Sequence, residues 1–195
     1  DVSHSEPPAE VLMEVEKFLI RGPNWIGDAV LAIPAMKAVR ERFPRAQITL
    51  LVRPWVAGIF TSAPFIDRVW SDDKPSNLTE WARITKKIRG SRFDLALLLP
   101  NSLVSALMMI LGGVTQRSGY ATDGRRWMLT DSLTPSDGSQ HQMHYYLELV
   151  KVLSAGAERP SIEIQATSKE RADARRLLSD EGMPSGAPFL VLNPG

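Results

Sequence analysis

One stretch near the amino terminus restricts the fold more than any other: K-F-L-I-R-G-P-N-W-I-G-D-A-V-L-A-I-P-A-M-K-A-V-R-E-R-F, residues 17–43. It opens on a short apolar run, Phe18-Leu19-Ile20, of the kind that forms a buried strand. A turn follows at Gly22-Pro23-Asn24, then Gly27-Asp28. After Asp28 the apolar period changes to that of a helix. Leu31, Ala35, Met36, Val39 and Phe43 fall on one face, and Lys37, Arg40 and Glu41 on the other. Strand, glycine-bearing loop and helix in immediate succession place the loop at the carboxyl end of a strand. Open α/β sheets bind their ligands at that edge.

The rest of the chain repeats this alternation. Gln47–Val52 reads as a second strand, ended by Arg53-Pro54-Trp55. A short helix over 56–61 and a third strand over 67–70 follow. Residues 79–89 form an amphipathic helix with Trp81, Ile84 and Ile88 on one face and Gly90 past its end. Residues 93–99, F-D-L-A-L-L-L, are the clearest buried strand, and Ser102 is placed to cap a helix over 103–111. A strand over 116–120, an irregular stretch over 121–140 with turns at Asp123-Gly124 and Asp137-Gly138, and a helix over 141–153 ended by Gly156 complete the unit. Pro34 inside its helix predicts a kink without functional meaning.

This order predicts a Rossmann-like α/β fold, a mostly parallel sheet with helices on both faces and right-handed crossovers. Residues 1–14 read as a disordered tail and 15–160 as the domain. Residues 161–195 read as an extended linker, a helix over 168–181 and a strand over 189–192 that begins a second, incomplete α/β domain. The 195 residues suffice for a real core, since a domain of about 150 residues buries roughly 70% of its unfolded surface. A net charge of +1 supplies no field for nucleic acid. Cysteine is absent, which excludes disulfides and thiolate metal sites and fits a reducing compartment. The longest apolar segment, 103–114, is too short to span a bilayer, so a membrane role is limited to peripheral contact.

If the sheet is parallel, its carboxyl edge gathers Gly27, Asp28, Arg53, Lys74, Asn101, Ser102, Arg125 and Arg126, with Arg117 nearby. A carboxylate among cations stays ionised, which suits removal of a proton from a hydroxyl on an anionic substrate. Gly27 would let that substrate approach the backbone. Asp28 reads equally as a helix N-cap, and capping does not exclude catalysis. A dinucleotide loop fits poorly: the middle glycine of G-x-G-x-x-G is missing, and the second strand ends in Arg53 rather than an acid. His141, His144 and Glu148 share helical spacing, but nothing else recruits a metal, so a solvated face is the better reading. Trp25 and Trp55 read as packing residues at the rim, with sugar stacking as the other reading. Met108-Met109 reads as core.

The run from Gly22 to Pro44 resembles the opening of the lipopolysaccharide heptosyltransferases, inverting glycosyltransferases of the GT-B architecture. L-L-P-N-S-L-V-S-A-L (98–107) is similar to the second signature of their type II members. Q-R-S-G-Y (116–120), the loop D-G-R-R-W-M-L-T-D, the helix with His144-Tyr145-Tyr146 and the final L-N-P-G follow in the family order. The resemblance implies transfer of heptose from ADP-L-glycero-D-manno-heptose to the first heptose of the lipopolysaccharide inner core. It implies Asp28 as general base and no metal or cofactor. Residues 15–160 would form the acceptor-binding domain, with Gly27, Arg53, Asn101, Ser102, Arg117, Arg125 and Arg126 as acceptor-side candidates from their place at the loop edge. The donor would be held mainly by the second domain, so the fragment alone would be inactive. A cytoplasmic enzyme at the inner face of the inner membrane is implied, with no nucleic acid. Two other readings stay open: a GT-B transferase with another sugar nucleotide, and a non-catalytic nucleotide-binding or interaction module.

Overall fold

The computed structural model describes residues 15–72, 75, 77–136, 140–157, 160–184 and 186–192. The expected tail over 1–14, the cation Lys74, the turn at Asp137-Gly138, Arg159 and the final Asn193-Pro194-Gly195 lie outside the described residues.

Six strands form one sheet: β1 (Lys17–Arg21), β2 (Gln47–Val52), β3 (Arg68–Ser71), β4 (Leu95–Leu98), β5 (Gln116–Tyr120) and β6 (Asp131–Leu133). Their order is β3-β2-β1-β4-β5-β6, and every neighbouring pair is parallel. The doubly wound α/β expectation therefore holds. The helices are α1 (Ile26–Leu31), α2 (Ile33–Arg42), α3 (Pro54–Ala57), α4 (Leu78–Ser91), α5 (Leu103–Leu111), α6 (Gln142–Val150) and α7 (Ser168–Asp180).

The two-residue period of the strands divides the core. Phe18, Ile20, Ile48, Leu50, Leu95 and Leu97 point to one face, where α1, α2 and α6 cover them with Met36, Val39 and Leu149. Leu19, Leu51, Ala96 and Leu98 point to the other, under Ile84 and Ile88 of α4 and Met109 of α5. Both faces are buried, so the central strands read as unbroken apolar runs rather than alternating ones. The chain reverses direction across the sheet between β1 and β4. The loops after these two strands diverge there and leave a crevice.

Several boundaries differ from expectation. The first helix is two: α1 ends at Ala32, which also opens α2. Pro34 then sits in the first turn of α2, where a missing N–H costs nothing. The helix after β3 runs through Gly90 to Ser91. Its left-handed cap is Arg92, at φ 53°, rather than the glycine. β6 lies inside the stretch expected to be irregular. Residues 189–192, expected as a strand, pair with no described strand, and Leu190 is 83% exposed. An apolar run becomes a strand only where a sheet edge receives it.

Candidate active site

Asp28 is the third residue of α1, one turn beyond the end of β1. The N-cap is Trp25, and it makes no side-chain cap bond. The capping reading of Asp28 is thus corrected: its backbone carbonyl accepts from Ala32 N–H at 2.9 Å, while its carboxylate closes no cap. The carboxylate instead lies close enough to the Tyr146 hydroxyl to act on it electrostatically. Burial first, and Asp28 after it, push that hydroxyl up to about 12, so it keeps its proton. Gly27 faces open space, since a Cβ built there meets nothing within 4 Å. Gly22 is a packing residue, because its Cβ would stand 2.6 Å from Val52 Cγ1.

The loop after β1 is held from below and from the side. Arg21, the last residue of β1, is 6% exposed. Its guanidinium donates to Gly22 O, to Leu51 O at 3.2 Å and to Asn24 Oδ1 at 2.6 Å. Arg53 Nε reaches the same amide oxygen at 3.1 Å, and Trp55 Nε1 donates to Asn24 O at 2.8 Å. Asn24 therefore ties the loop after β1 to the loop after β2. Trp25 and Trp55 are 73% and 56% exposed, so the packing reading of these rings is corrected: they stand out at the rim. Below it a cleft of about 150 Å³, partly open to solvent, runs between α4 and α5, lined by Arg21, Asn24, Arg53, Asp72, Ser102 and Ser105.

Across the switch point, the β4 backbone continues beside β1, with Leu99 N–H donating to Arg21 O at 3.1 Å. Ser102 caps α5 as expected, accepting from Ser105 N–H at 3.2 Å. Asn101 donates from Nδ2 to Tyr145 OH at 2.6 Å. Its Oδ1 faces Arg125 Nη2 at 3.4 Å.

Asp28, Gly27, Arg53, Asn101 and Ser102 thus share the carboxyl edge. The other three arginines do not stand there as surface cations. Arg125 is fully buried and donates to Tyr120 O at 2.9 Å, to Pro100 O and to Ser102 O at 3.2 Å. It clamps two loops together. Arg117 lies near the start of β5 and bonds to Met128 O at 2.7 Å and Val114 O at 2.6 Å, towards the amino edge. Arg126 is exposed beside β6 and bonds to Ser132 Oγ. His141 caps α6, accepting from Met143 N–H at 3.3 Å, and Glu148 accepts from Ser136 Oγ at 3.0 Å. Among the described residues no cluster of His, Asp and Glu is arranged to hold a metal.

Sequence reasoning missed Arg21, Asn24, Tyr145 and Tyr146. A signal existed for Arg21: a cation ending a strand that is otherwise apolar has to be explained. Nothing in the spacing pointed to the tyrosines, because α6 approaches α1 only through the fold.

A doubly wound parallel domain with a carboxylate and cations gathered at its switch point defines an α/β ligand-binding domain of the Rossmann-like class. Within that class, the chain belongs to glycosyltransferase family 9 (heptosyltransferase), whose pattern matches residues 81–195. Lipopolysaccharide heptosyltransferase 2 of Salmonella typhimurium is 24% identical over 190 residues, covering 92% of this chain and 54% of that protein. Among solved structures, Escherichia coli ADP-heptose lps heptosyltransferase II superposes with a TM-score of 0.70 at 21% identity, over 88% of this chain and 52% of that one. A family 9 glycosyl transferase from Veillonella parvula gives a TM-score of 0.79 at 16% identity, over 87% of this chain and 51% of that one. The chain spans about half the length of the curated relatives it matches, or less.

Proposed function

We propose that this chain is the acceptor-binding part of an inverting glycosyltransferase. The enzyme moves heptose from ADP-L-glycero-D-manno-heptose to the first heptose of the lipopolysaccharide inner core. Family membership and the names of the relatives support the chemistry. The observation that carries the site is Asp28: a carboxylate at the switch point, not used as a cap, one residue from the open backbone of Gly27.

Asp28 takes the proton of the acceptor hydroxyl. The oxygen then attacks the anomeric carbon from the side opposite ADP, the bond to the diphosphate breaks, and the configuration inverts. Burial keeps the Tyr146 hydroxyl protonated, so it adds no second negative charge to the surroundings of Asp28. Asn101, oriented by Arg125, and Ser102 line the acceptor side. Residues 15–160 form this domain, and residues 161–195 lead into a donor-binding domain. The enzyme acts in the cytoplasm, at the inner face of the inner membrane. No helix among the described residues is long and apolar enough to cross a membrane.

The test uses the full-length protein with ADP-heptose and lipopolysaccharide carrying only the first heptose. Transfer is expected. Asp28→Asn is expected to lower kcat by about 10²–10⁴ while leaving the melting temperature near that of wild type. Transfer from a different sugar nucleotide alone would overturn the donor assignment, and an unchanged kcat in Asp28→Asn would remove Asp28 as the base.

A further inference from the structure

We propose that the outer face of α5, with the turn Arg126–Met128 beside it, docks on a lipid bilayer that carries anionic headgroups. α5 reads L-V-S-A-L-M-M-I-L, residues 103–111, without one charged side chain. Its only polar residue, Ser105, is 3% exposed, and its hydroxyl is bonded to that of Ser102. Ala106 and Met109 fill the core beneath. The solvent side is left to Leu103, Leu107 and Leu111, which are 43%, 37% and 44% exposed at a spacing of four residues. A surface helix ordinarily turns a polar side outward, and a helix that is apolar all round is ordinarily covered. α5 is apolar all round and forms the outer layer on its side of the sheet. Trp127, 73% exposed, stands on the adjoining turn, whose Met128 packs with α5 in the core.

Charge decides what covers this face. From residue 95 to residue 122 the chain has no aspartate or glutamate. Cations stand at the margins. Arg126 is exposed next to Trp127. On α4, Arg89 Nη2 donates to Leu111 O at 2.8 Å, at the end of the leucine stripe. Lys86, exposed one turn earlier, shares that side of α4. Glu80 is the only carboxylate of α4 and stands in its first turn. Leucines, an exposed indole and a cationic margin match a bilayer. Acyl chains take the leucines, the indole sits at headgroup level, and the cations meet lipid phosphates. A second copy fits worse, since a two-fold pairing would bring the two cationic margins together. The described chain leaves the domain on the opposite face, where Lys37 of α2 holds Ser161 and Glu163. Leu103 follows the Ser102 cap at the carboxyl edge, so docking on α5 holds that edge beside the headgroups. That this presents a lipid-linked acceptor to Asp28 rests on the transferase reading; the docking face itself does not.

The 195-residue protein and the full-length protein are each sedimented with vesicles of phosphatidylcholine containing phosphatidylglycerol, and with vesicles of phosphatidylcholine alone. Both proteins are expected to bind the anionic vesicles, more weakly as sodium chloride rises, and to bind the neutral ones poorly. Leu107→Gln and Trp127→Gln are each expected to weaken binding by about tenfold, and Lys86→Gln by about fivefold. Leu177→Gln, at an exposed leucine of α7, is expected to change nothing. If Trp127→Gln fails to fold, Leu107→Gln and Lys86→Gln still decide. No binding, equal binding to both kinds of vesicle, or losses no larger than that of Leu177→Gln overturns the docking face. So does binding by the 195-residue protein alone, which would mean that the rest of the chain covers α5. Self-association without lipid that Leu107→Gln abolishes overturns it too, because the face would then belong to a second copy. Heptosyl transfer to a water-soluble acceptor without acyl chains, measured in the full-length protein, tests the transferase reading separately, and Leu107→Gln should leave it unchanged. Vesicle binding without such transfer would leave the docking face standing and defeat the transferase reading; transfer without vesicle binding would do the reverse.

Discussion

Arg125 separates a ligand arginine from a structural one. Its guanidinium donates to three backbone carbonyls and faces the Asn101 amide, with no surface left to a substrate. Arg125→Ala leaves those carbonyls without a donor and is expected to cost about 3 kcal/mol, read as a fall in the urea midpoint. An exposed arginine that only binds ligand would shift stability by less than about 0.5 kcal/mol. The tyrosines around it titrate in the opposite sense to most surface groups. Burial raises Tyr120, Tyr145 and Tyr146 above the ordinary 10.0, Tyr146 to about 12. The folded protein then holds the Tyr146 proton more tightly than the unfolded chain. This stabilisation is complete below about pH 10 and is lost as pH rises towards about 12. Arg21, lowered to about 10, works with the opposite sign over the same range, so the whole-protein curve mixes the two. The comparison that isolates Tyr146 is the urea midpoint of Tyr146→Phe against wild type at about pH 9 and about pH 11. The wild type should lose more stability than the variant over that interval; equal losses would mean that Tyr146 is not held above its ordinary range.

The elements around the crevice tolerate change unequally, and two glycines a few residues apart show why. Gly22 closes the end of β1 against β2, where an added Cβ meets Val52 Cγ1 at 2.6 Å and Leu50 Cδ1 at 3.0 Å. Gly22→Ala is expected to destabilise by about 1–3 kcal/mol through overpacking. Gly27 lies in the first turn of α1 and faces open space. Gly27→Ala should leave stability unchanged or raise it by up to about 1 kcal/mol, because alanine is the better helix former. If an acceptor approaches the backbone there, the same change raises acceptor KM in the full-length enzyme. Chemical denaturation and steady-state kinetics on the two variants separate packing from binding. Among the elements, β1, β2, β5 and α7 lie where the sequence pattern put them, α7 opening on a Thr167/Glu170 capping box, while α4 was legible by its period but runs past the glycine expected to stop it. β6 escaped because D-S-L is too short to carry a period. It becomes a strand by pairing with Ser118, Gly119 and Tyr120.

At the scale of the molecule, the sheet and its two apolar layers lie between Val15 and Ala155. Beyond them α7 buries no residue, and the segment before it is held to α2 by Lys37, which bonds to Ser161 Oγ at 3.1 Å and pairs with Glu163 at 3.6 Å. The relatives are about twice as long. The 195-residue chain taken alone is therefore expected to unfold cooperatively in urea yet show no heptosyl transfer. Positioning of the donor can account for up to about 7–11 kcal/mol of the barrier, and a single base cannot replace it. Calorimetric titration with ADP-heptose and a turnover assay check this. Micromolar binding, or transfer near the full-length rate, would put the donor site within these residues.

By itself the sequence determined the class of fold, because unbroken apolar strands alternating with amphipathic helices bury well only as a parallel sheet covered on both faces. It also determined that Asp28 follows the first strand, since the switch of period from two to 3.6 marks the strand's carboxyl end. Which cations accompany Asp28 was decided only by tertiary structure. Arg53, Arg117, Arg125 and Arg126 are alike in a sequence, all charged and all near loop ends. Whether a guanidinium faces a cleft or spends its donors on carbonyls depends on which loops the strand order brings together. The order β2-β1-β4-β5 places Pro100 and Ser102 over Arg125, and the Leu51 carbonyl beside Arg21. Contacts between residues this far apart in the chain leave no period or spacing from which they could be read.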